Sequence, residues 1–458
     1  MPSLRDFATW EPVLRLLRDS NKERLEEPGG YVAGRISLES WSLPLSRGHD
    51  MHDEIDAVER VHSALMDGGL ETIAFVAEIA PSGKTTVQLF GFGPAAEEGI
   101  GAYPGALVLV EDAVPEPWRR LPDPMPDAKP SPTADPALLE RTLRERLPDA
   151  VAATEAEIAA AERRLGVALP DELKAFYRVT RARWEDWDDN EQAAEGLYEA
   201  VGFEPFSLED MYIADAPSRS CPWDSAAMDA VVTPPDAAVQ GLVGSPGWIV
   251  CGDNGGGDRI AVDLTPGPAG HLGQVIILCH EENTGAHLLA DSLTAQVVND
   301  SEGEEGEGRA AEGRSAVPDG RPPAVAWVNA RNLTSVQAAA HAGLEVLSIG
   351  RWDGEPFSLG PVTGLPRLRT LSAWPGTLAD PMEVAELARL EFLELGPDEW
   401  RVLLAADAVP RTLSAAAINV TGLPHPHPHP LAIVTLANEL LALWDRPAIT
   451  HTVFEGRL

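Results

Sequence analysis

The segment from Thr154 to Tyr177, TEAEIAAAERRLGVALPDELKAFY, leaves the backbone less choice than any other stretch of this 458-residue chain. Thr154 is placed to cap a helix, and Glu157, three residues on, completes a capping box. Ile158, Glu162 and Leu165 follow at helical spacing, and Gly166 supplies the C-cap that ends the helix. Pro170 stands where a second helix begins, a position at which its missing N–H costs nothing. Leu173, Phe176 and Tyr177 give that helix an apolar stripe. The spacing predicts two short helices around a Gly-Val-x-Leu-Pro corner, and nothing in them is arranged for chemistry.

A second block belongs with the first. Trp248-Ile249-Val250-Cys251 reads as a short apolar strand running into Gly252-Asp253-Asn254-Gly255-Gly256-Gly257-Asp258. Ile260 to Leu264 returns as a strand, Pro266 to Gly270 forms a turn, and Leu272 to Ile277 gives a third strand. The glycines supply the positive-φ positions that such a meander needs. In this order the pieces resemble the SUKH superfamily, which holds the fungal Smi/Knr cell-wall-synthesis regulators and many bacterial immunity proteins of polymorphic toxin systems. The resemblance rests on E-x-x-I-x-x-x-E-x-x-L-G-V-x-L-P, W-I-V-C-G-D-N-G-G-G-D and D-L-x-P-G-P-x-G-x-x-G-Q-V, within residues 135–298. It implies an α+β domain, an antiparallel sheet with N-terminal helices, that binds protein and has no shared catalytic centre. After Tyr177, where relatives often carry an Asn-Gly-Gly turn, this chain reads Arg178-Val179-Thr180-Arg181-Ala182-Arg183-Trp184, opening an insert that runs to about Gly247.

The chain is too long for one ordinary core, so an α+β multidomain protein is expected. Residues 115–134 form a Pro-rich linker, and 299–323 an acidic, Gly-rich linker with too few apolar residues to fold. Residues 422–458 hold a His-Pro run and a C-terminal helix, Leu431 to Trp444. Residues 1–114 carry helix patterns at Glu11–Arg18 and Asp50–Met66, the latter with Ile55, Val58, Val61 and Leu65 on one face. Strand patterns follow at Glu71–Ile79, Thr85–Phe92 and Ala106–Glu111, giving a small N-terminal α+β domain of unread function. In 324–421 a repeat appears: Leu344-Glu345-Val346-Leu347, Leu368-Arg369-Thr370-Leu371 and Leu390-Glu391-Phe392-Leu393 match at a leucine-rich-repeat period. Val325–Val328 and Arg411–Ser414 read as degenerate outer copies. Trp352, Gly376 and Asp398 stand where such repeats place a buried Asn or Cys, so the region is a short, irregular leucine-rich-repeat-like solenoid without the Asn ladder.

A formal net charge of -37 disfavours nucleic acid and anionic membrane as partners and favours a basic protein. Cys221, Cys251 and Cys279 lack CxxC spacing, which argues for a reducing compartment and against a zinc site; Cys251 and Cys279 read as small core residues. With no apolar leader and no membrane-length apolar run, the expected location is cytoplasmic.

The apparent catalytic signals are weak. Ser82-Gly83-Lys84-Thr85 resembles the end of a phosphate loop, but Glu78 stands where its first Gly belongs and a strand follows, so it reads as a hairpin turn. The Asp253–Asp258 loop lacks the spacing and closing Glu of a calcium loop and reads as a turn braced by Asp253 and Asn254. His49 and His52 fit the start of a helix, and the His-Pro run fits a spacer, better than metal ligation. No cofactor, metal or enzymatic activity is expected. Recognition remains. Trp184 and Trp187 are interface anchors in the insert, and Asp253, Asn254, Asp258, Glu281 and Glu282 form an acidic rim. The leading expectation is an immunity protein that neutralises a toxin by occlusion. The alternatives are a regulatory scaffold in cell-wall synthesis or growth control, and an enzyme in the N-terminal domain.

Overall fold

The computed structural model describes residues 3–46, 50–98, 105–110, 112–187, 191–282, 284–299, 323–423 and 428–458. The chain divides into two units, Val114–Val325 and the pair Met1–Ala113 with Ala326–Leu458. No helix among the described residues is long and apolar enough to cross a membrane.

In the first of these the helix corner forms as its residues require. Thr154 Oγ1 accepts the Glu157 N–H at 3.2 Å while Glu157 Oε2 accepts the Thr154 N–H at 2.7 Å. The helix Glu155–Leu165 stops at Gly166 with φ 71°, and Asp171–Tyr177 starts directly after Pro170. Beside them run Trp248–Asp253, Arg259–Asp263, Gln274–Leu278 and His287–Ala290, an antiparallel meander, with the two-residue strands Glu204–Pro205 and Tyr212–Ile213 on the outer edge of Trp248–Asp253. Alternate strand residues face opposite sides. Ile249, Cys251, Ile260, Val262 and Val275 pack against Leu139, Leu143, Phe176 and Tyr177 on the helices. Trp248, Val250, Ala261, Ile276 and Leu278 pack with Ala214 and Leu242 from the insert. Both faces are covered, which is why these strands read as unbroken apolar runs.

The segment expected as a Pro-rich linker is part of this unit. Trp118 is buried among Ala216, Ala226, Val231 and Val243, and Gln240 exchanges hydrogen bonds with the Asp123 backbone at 2.8 and 2.9 Å. Proline stiffness here serves to lay an extended chain along a surface. The acidic linker falls almost wholly on residues 300–322, outside the described residues, as do His49 and most of the His-Pro run.

In the other unit, helices Phe7–Ser20 and Met51–Gly68 cover a sheet ordered Thr450–Arg457, Lys84–Gly91, Thr72–Ile79, Val32–Ser37, Trp41–Ser42. Val58, Val61 and Leu65 are buried there, but Ile55, expected on the same face, is 47 % exposed. Ser82 and Gly83 lie in the turn between paired strands, with Gly83 at φ 82°. Two pairings depart from the expected division. Thr450–Arg457, expected only as a tail beyond a helix, pairs along the full length of Lys84–Gly91. Ala106–Leu109 pairs on one side with Ala96–Glu98 and on the other with Ala415–Ile418. Residues 1–114, 324–421 and 422–458 therefore share sheets, through contacts between chain segments too far apart for local pattern to disclose.

The repeated segments form a parallel stack. Val346 faces Thr370, Thr370 faces Phe392 and Phe392 faces Ala415, with Val325–Val328 beyond Val346–Ile349. Leu347, Leu371, Leu393 and Ala416 point into one core. In place of an Asn ladder, carboxylates reach the turn amides of the preceding segment: Glu399 Oε1 accepts the Gly376 N–H at 2.6 Å, and Glu383 accepts the Leu359 N–H. Just before the strands, Arg369 lies between Glu345 and Glu391, at 3.6 and 3.2 Å, all three buried.

Candidate interaction site

The site is built on one end of the meander, where the turn after Trp248–Asp253 meets the chain leaving Gln274–Leu278. Asn254 organises the turn. Its Oδ1 accepts the Gly256 and Asp258 N–H groups at 2.8 and 3.1 Å, and its Nδ2 donates to Asp258 Oδ2 at 2.9 Å. Asp253 Oδ1 accepts the Gly255 N–H at 2.8 Å, and Asp253 Oδ2 receives Arg259 Nη1 at 2.9 Å. Gly255 and Gly257 take φ values of 75° and 103°, a backbone that side chains resist. Gly252 is needed for another reason. A Cβ there would lie 2.5 Å from the Glu204 carbonyl oxygen and 2.5 Å from the Phe203 ring.

Asp258 ties the turn to the neighbouring strand. Its Oδ1 receives the His280 N–H at 2.9 Å and lies 2.7 Å from His280 Nδ1. Burial opposes ionisation of Asp258, but the His280 amide and ring and the Asn254 amide outweigh it, so the carboxyl is held below the ordinary aspartate range. Arg259 pairs with Leu278 in the antiparallel register, so Asp258 and Cys279 are the first residues beyond the facing strand ends. Cys279 is therefore past the strand end and only half buried, unlike the core position expected for it. Cys251 is a core residue, its thiol pushed up to about 12 by burial.

The seven sequence-named residues are unevenly gathered. Asp253, Asn254 and Asp258 form one hydrogen-bonded turn, and Glu281 and Glu282 follow directly on His280, both exposed. Glu282 Oε2 lies 3.1 Å from His287 Nε2, and its carbonyl accepts from Arg219 at 2.7 Å. Trp184 and Trp187 are the ends of a one-turn 3₁₀ helix, and their side chains lie outside the described residues. An Arg181–Asp186 ion pair closes that turn, and no described hydrogen bond or ion pair joins it to the Asp253 turn. Pattern reading missed Arg259, Cys279 and His280; the signal available was the register, which sets Asp258 against Cys279.

At the other end of the meander, the D-L-x-P-G-P-x-G-x-x-G-Q run is structural. Asp263 and Gln274 are paired cross-strand neighbours, wholly buried. Asp263 accepts from the Thr265 N–H at 2.7 Å and from Gln274 Nε2 at 2.9 Å, while Gln274 Oε1 holds the His271 N–H at 2.9 Å. Burial pushes the Asp263 carboxyl up against these donors. Gly267 and Gly270 pass so close to the Ala237 and Ala238 carbonyls that a Cβ would sit 2.3 and 2.0 Å from them.

Residues 152–297 match the SMI1 / KNR4 family (SUKH-1). The chain is 31 % identical over 116 residues to a glucan synthesis regulatory protein of Neurospora crassa, covering 23 % of this chain and 22 % of that one. It is 41 % identical over 61 residues to the cell wall biosynthesis/cell cycle regulator smi1 of Schizosaccharomyces pombe, 13 % of this chain and 12 % of that one. A KNR4/SMI1 homolog of Yarrowia lipolytica is 45 % identical over 72 residues, 14 % of this chain and 10 % of that one. The chain thus spans about a fifth or less of the length of the curated relatives it matches.

Proposed function

We propose, from the premise that residues 152–297 are a domain of the SMI1/KNR4 family (SUKH-1), that this protein is a non-catalytic, protein-binding regulator acting in cell-wall synthesis or growth control. The observation that carries the reading is the construction of the family motifs. Asp263, Gln274 and the close-packed glycines are spent on holding loops, and the exposed end presents a braced polar turn. The relatives named above are regulators of glucan synthesis and of the cell wall and cell cycle, which favours regulation over toxin neutralisation. The partner surface we assign comprises Asp253, Asn254, Asp258, Glu281 and Glu282, with Trp184 and Trp187 as separate anchors. The parallel stack of 325–418 is read as a leucine-rich-repeat-like array giving a second recognition surface, and engagement of both by one partner would raise avidity.

A second reading is kept for one observation. A net charge of -37 suits occlusion of a basic toxin inside the cell.

The test is loss of the gene in its native host, scored for wall polysaccharide content and resistance to wall-perturbing agents. The regulatory reading expects a wall defect that wild type restores and the D253N/D258N/E281Q/E282Q variant does not. A normal wall, with sensitivity to a toxin from a neighbouring strain, would replace it with neutralisation.

A further inference from the structure

We propose that Asp258, Cys279 and His280 form a three-ligand site for a divalent transition metal of the zinc class. Each residue offers one ligand atom, a carboxylate oxygen, a thiol sulfur and an imidazole nitrogen, and the three atoms lie within 4.8 Å of one another. In a tetrahedral zinc site, bonds of about 2.3 Å to sulfur and about 2.0–2.1 Å to nitrogen set neighbouring ligand atoms roughly 3.3–3.6 Å apart. Closing the site therefore draws in the Cys279 sulfur by up to about an ångström and opens the 2.7 Å Asp258–His280 pair by about half an ångström, both within the reach of side-chain rotation. The movable members are the right ones. His280 is 53 % exposed in its side chain, and Cys279 is half buried at the start of a loop. Asp258 is the fixed member, held from the turn by Asn254 and facing Cys279 through the strand register.

The donor set decides the class. Thiolate with imidazole suits zinc, cobalt(II) and nickel, whereas calcium and magnesium take oxygen donors alone. The ion would sit between Asp258 Oδ1 and His280 Nδ1, which lie 2.7 Å apart, with the neutral imidazole carrying its one proton on Nε2. Binding forms a metal–sulfur bond and releases the Cys279 thiol proton to solvent. Three protein ligands leave one coordination position for water or for a side chain of a partner. The site lies among residues of the assigned partner surface, yet it stands or falls separately from the regulatory reading.

The test is titration of the full chain with zinc by calorimetry and with cobalt(II) by absorbance. One equivalent bound, with a thiolate-to-cobalt charge-transfer band, is the expected result. Cys279→Ser should abolish the band. His280→Ala should weaken binding by at least about tenfold, with circular dichroism confirming that both variants fold. His425→Ala/His427→Ala, which removes two of the three imidazoles of the His-Pro run, should leave the band and the stoichiometry unchanged. Absence of the band, its survival in the folded Cys279→Ser variant, or loss of binding in the His425/His427 variant would each overturn the proposal.

Discussion

Gly252→Ala tests whether the turn is positioned by steric fit. Gly252 has no positive φ, so alanine meets no backbone penalty and the outcome depends on space alone. The added methyl would lie 2.5 Å from the Glu204 oxygen and 2.5 and 2.8 Å from two carbons of the Phe203 ring. Comfortable carbon contacts are about 3.5–4.0 Å, so it intrudes by about an ångström on each side. The Glu204 carbonyl retreats only with its strand, which is held by the Glu204–Asp253 and Pro205–Gly252 pairing and by the Phe206 N–H on the Cys251 carbonyl at 2.7 Å. Overpacking of this kind costs about 1–3 kcal/mol. Against it, alanine restricts the unfolded chain and returns about 0.4–1 kcal/mol. Steric cost wins, leaving a net loss of about 1–2 kcal/mol. For a unit of this size that lowers the melting temperature by about 3–6 °C. Scanning calorimetry of the full chain reads the shift, and hydrogen exchange on the peptide containing Trp248–Asp253 localises it. Adding Phe203→Leu removes the ring but not the carbonyl, so the double variant should recover less than the whole loss relative to Phe203→Leu alone. A Gly252→Ala protein that melts at or above wild type would refute the argument.

Thr154→Ala removes the acceptor for the Glu157 N–H and should cost about 1 kcal/mol in urea unfolding. Arg369→Leu takes the cation from between buried Glu345 and Glu391 and should cost about 3–5 kcal/mol, with loss of cooperative unfolding in the parallel stack. Asp258 has a folded-state pKa below its unfolded one. Its contribution is full above the unfolded value, near about pH 4, and is lost as pH falls through the lower folded value. Acid titration followed by exchange of the His280 amide should reveal this loss, and Asp258→Asn should remove the pH dependence. Asp263 runs the other way. Its raised pKa makes its contribution largest at acid pH and diminishing as pH rises from the unfolded value to the folded one.

The features legible in advance were those closed by short-range geometry. The Thr154–Glu157 box, the Gly166 stop and the Pro170 start each involve residues within one helical turn, so sequence alone determines them. The meander was legible because its turns carry their own chemistry. Domain boundaries were not. Thr450–Arg457 pairs with Lys84–Gly91, and Ala106–Leu109 with Ala415–Ile418, and nothing in either segment encodes its distant partner. Composition misled at residues 115–134, where Trp118 was the sign of a segment that packs. Prolines fix an extended path whether or not that path lies on a surface, so their number alone does not distinguish a free connector from a docked one.

The turn expected to form an acidic rim is defined by geometry as well as by charge. Asp253 is countered by Arg259 at 2.9 Å, Asp258 faces the His280 ring, and Glu282 faces His287. Arg259 offsets one of the four carboxylates here, so the turn keeps a local negative charge that adds to the field of the whole molecule in steering a basic partner. What the turn supplies is fixed geometry. Ordering a mobile side chain at an interface costs about 0.5–1.5 kcal/mol, and here Asp253, Asn254 and Asp258 are ordered by folding itself. Such a surface discriminates by the placement of its acceptors. A partner selected this way would be more sensitive to displacement of Asn254, which holds the turn together, than to neutralising the exposed Glu281.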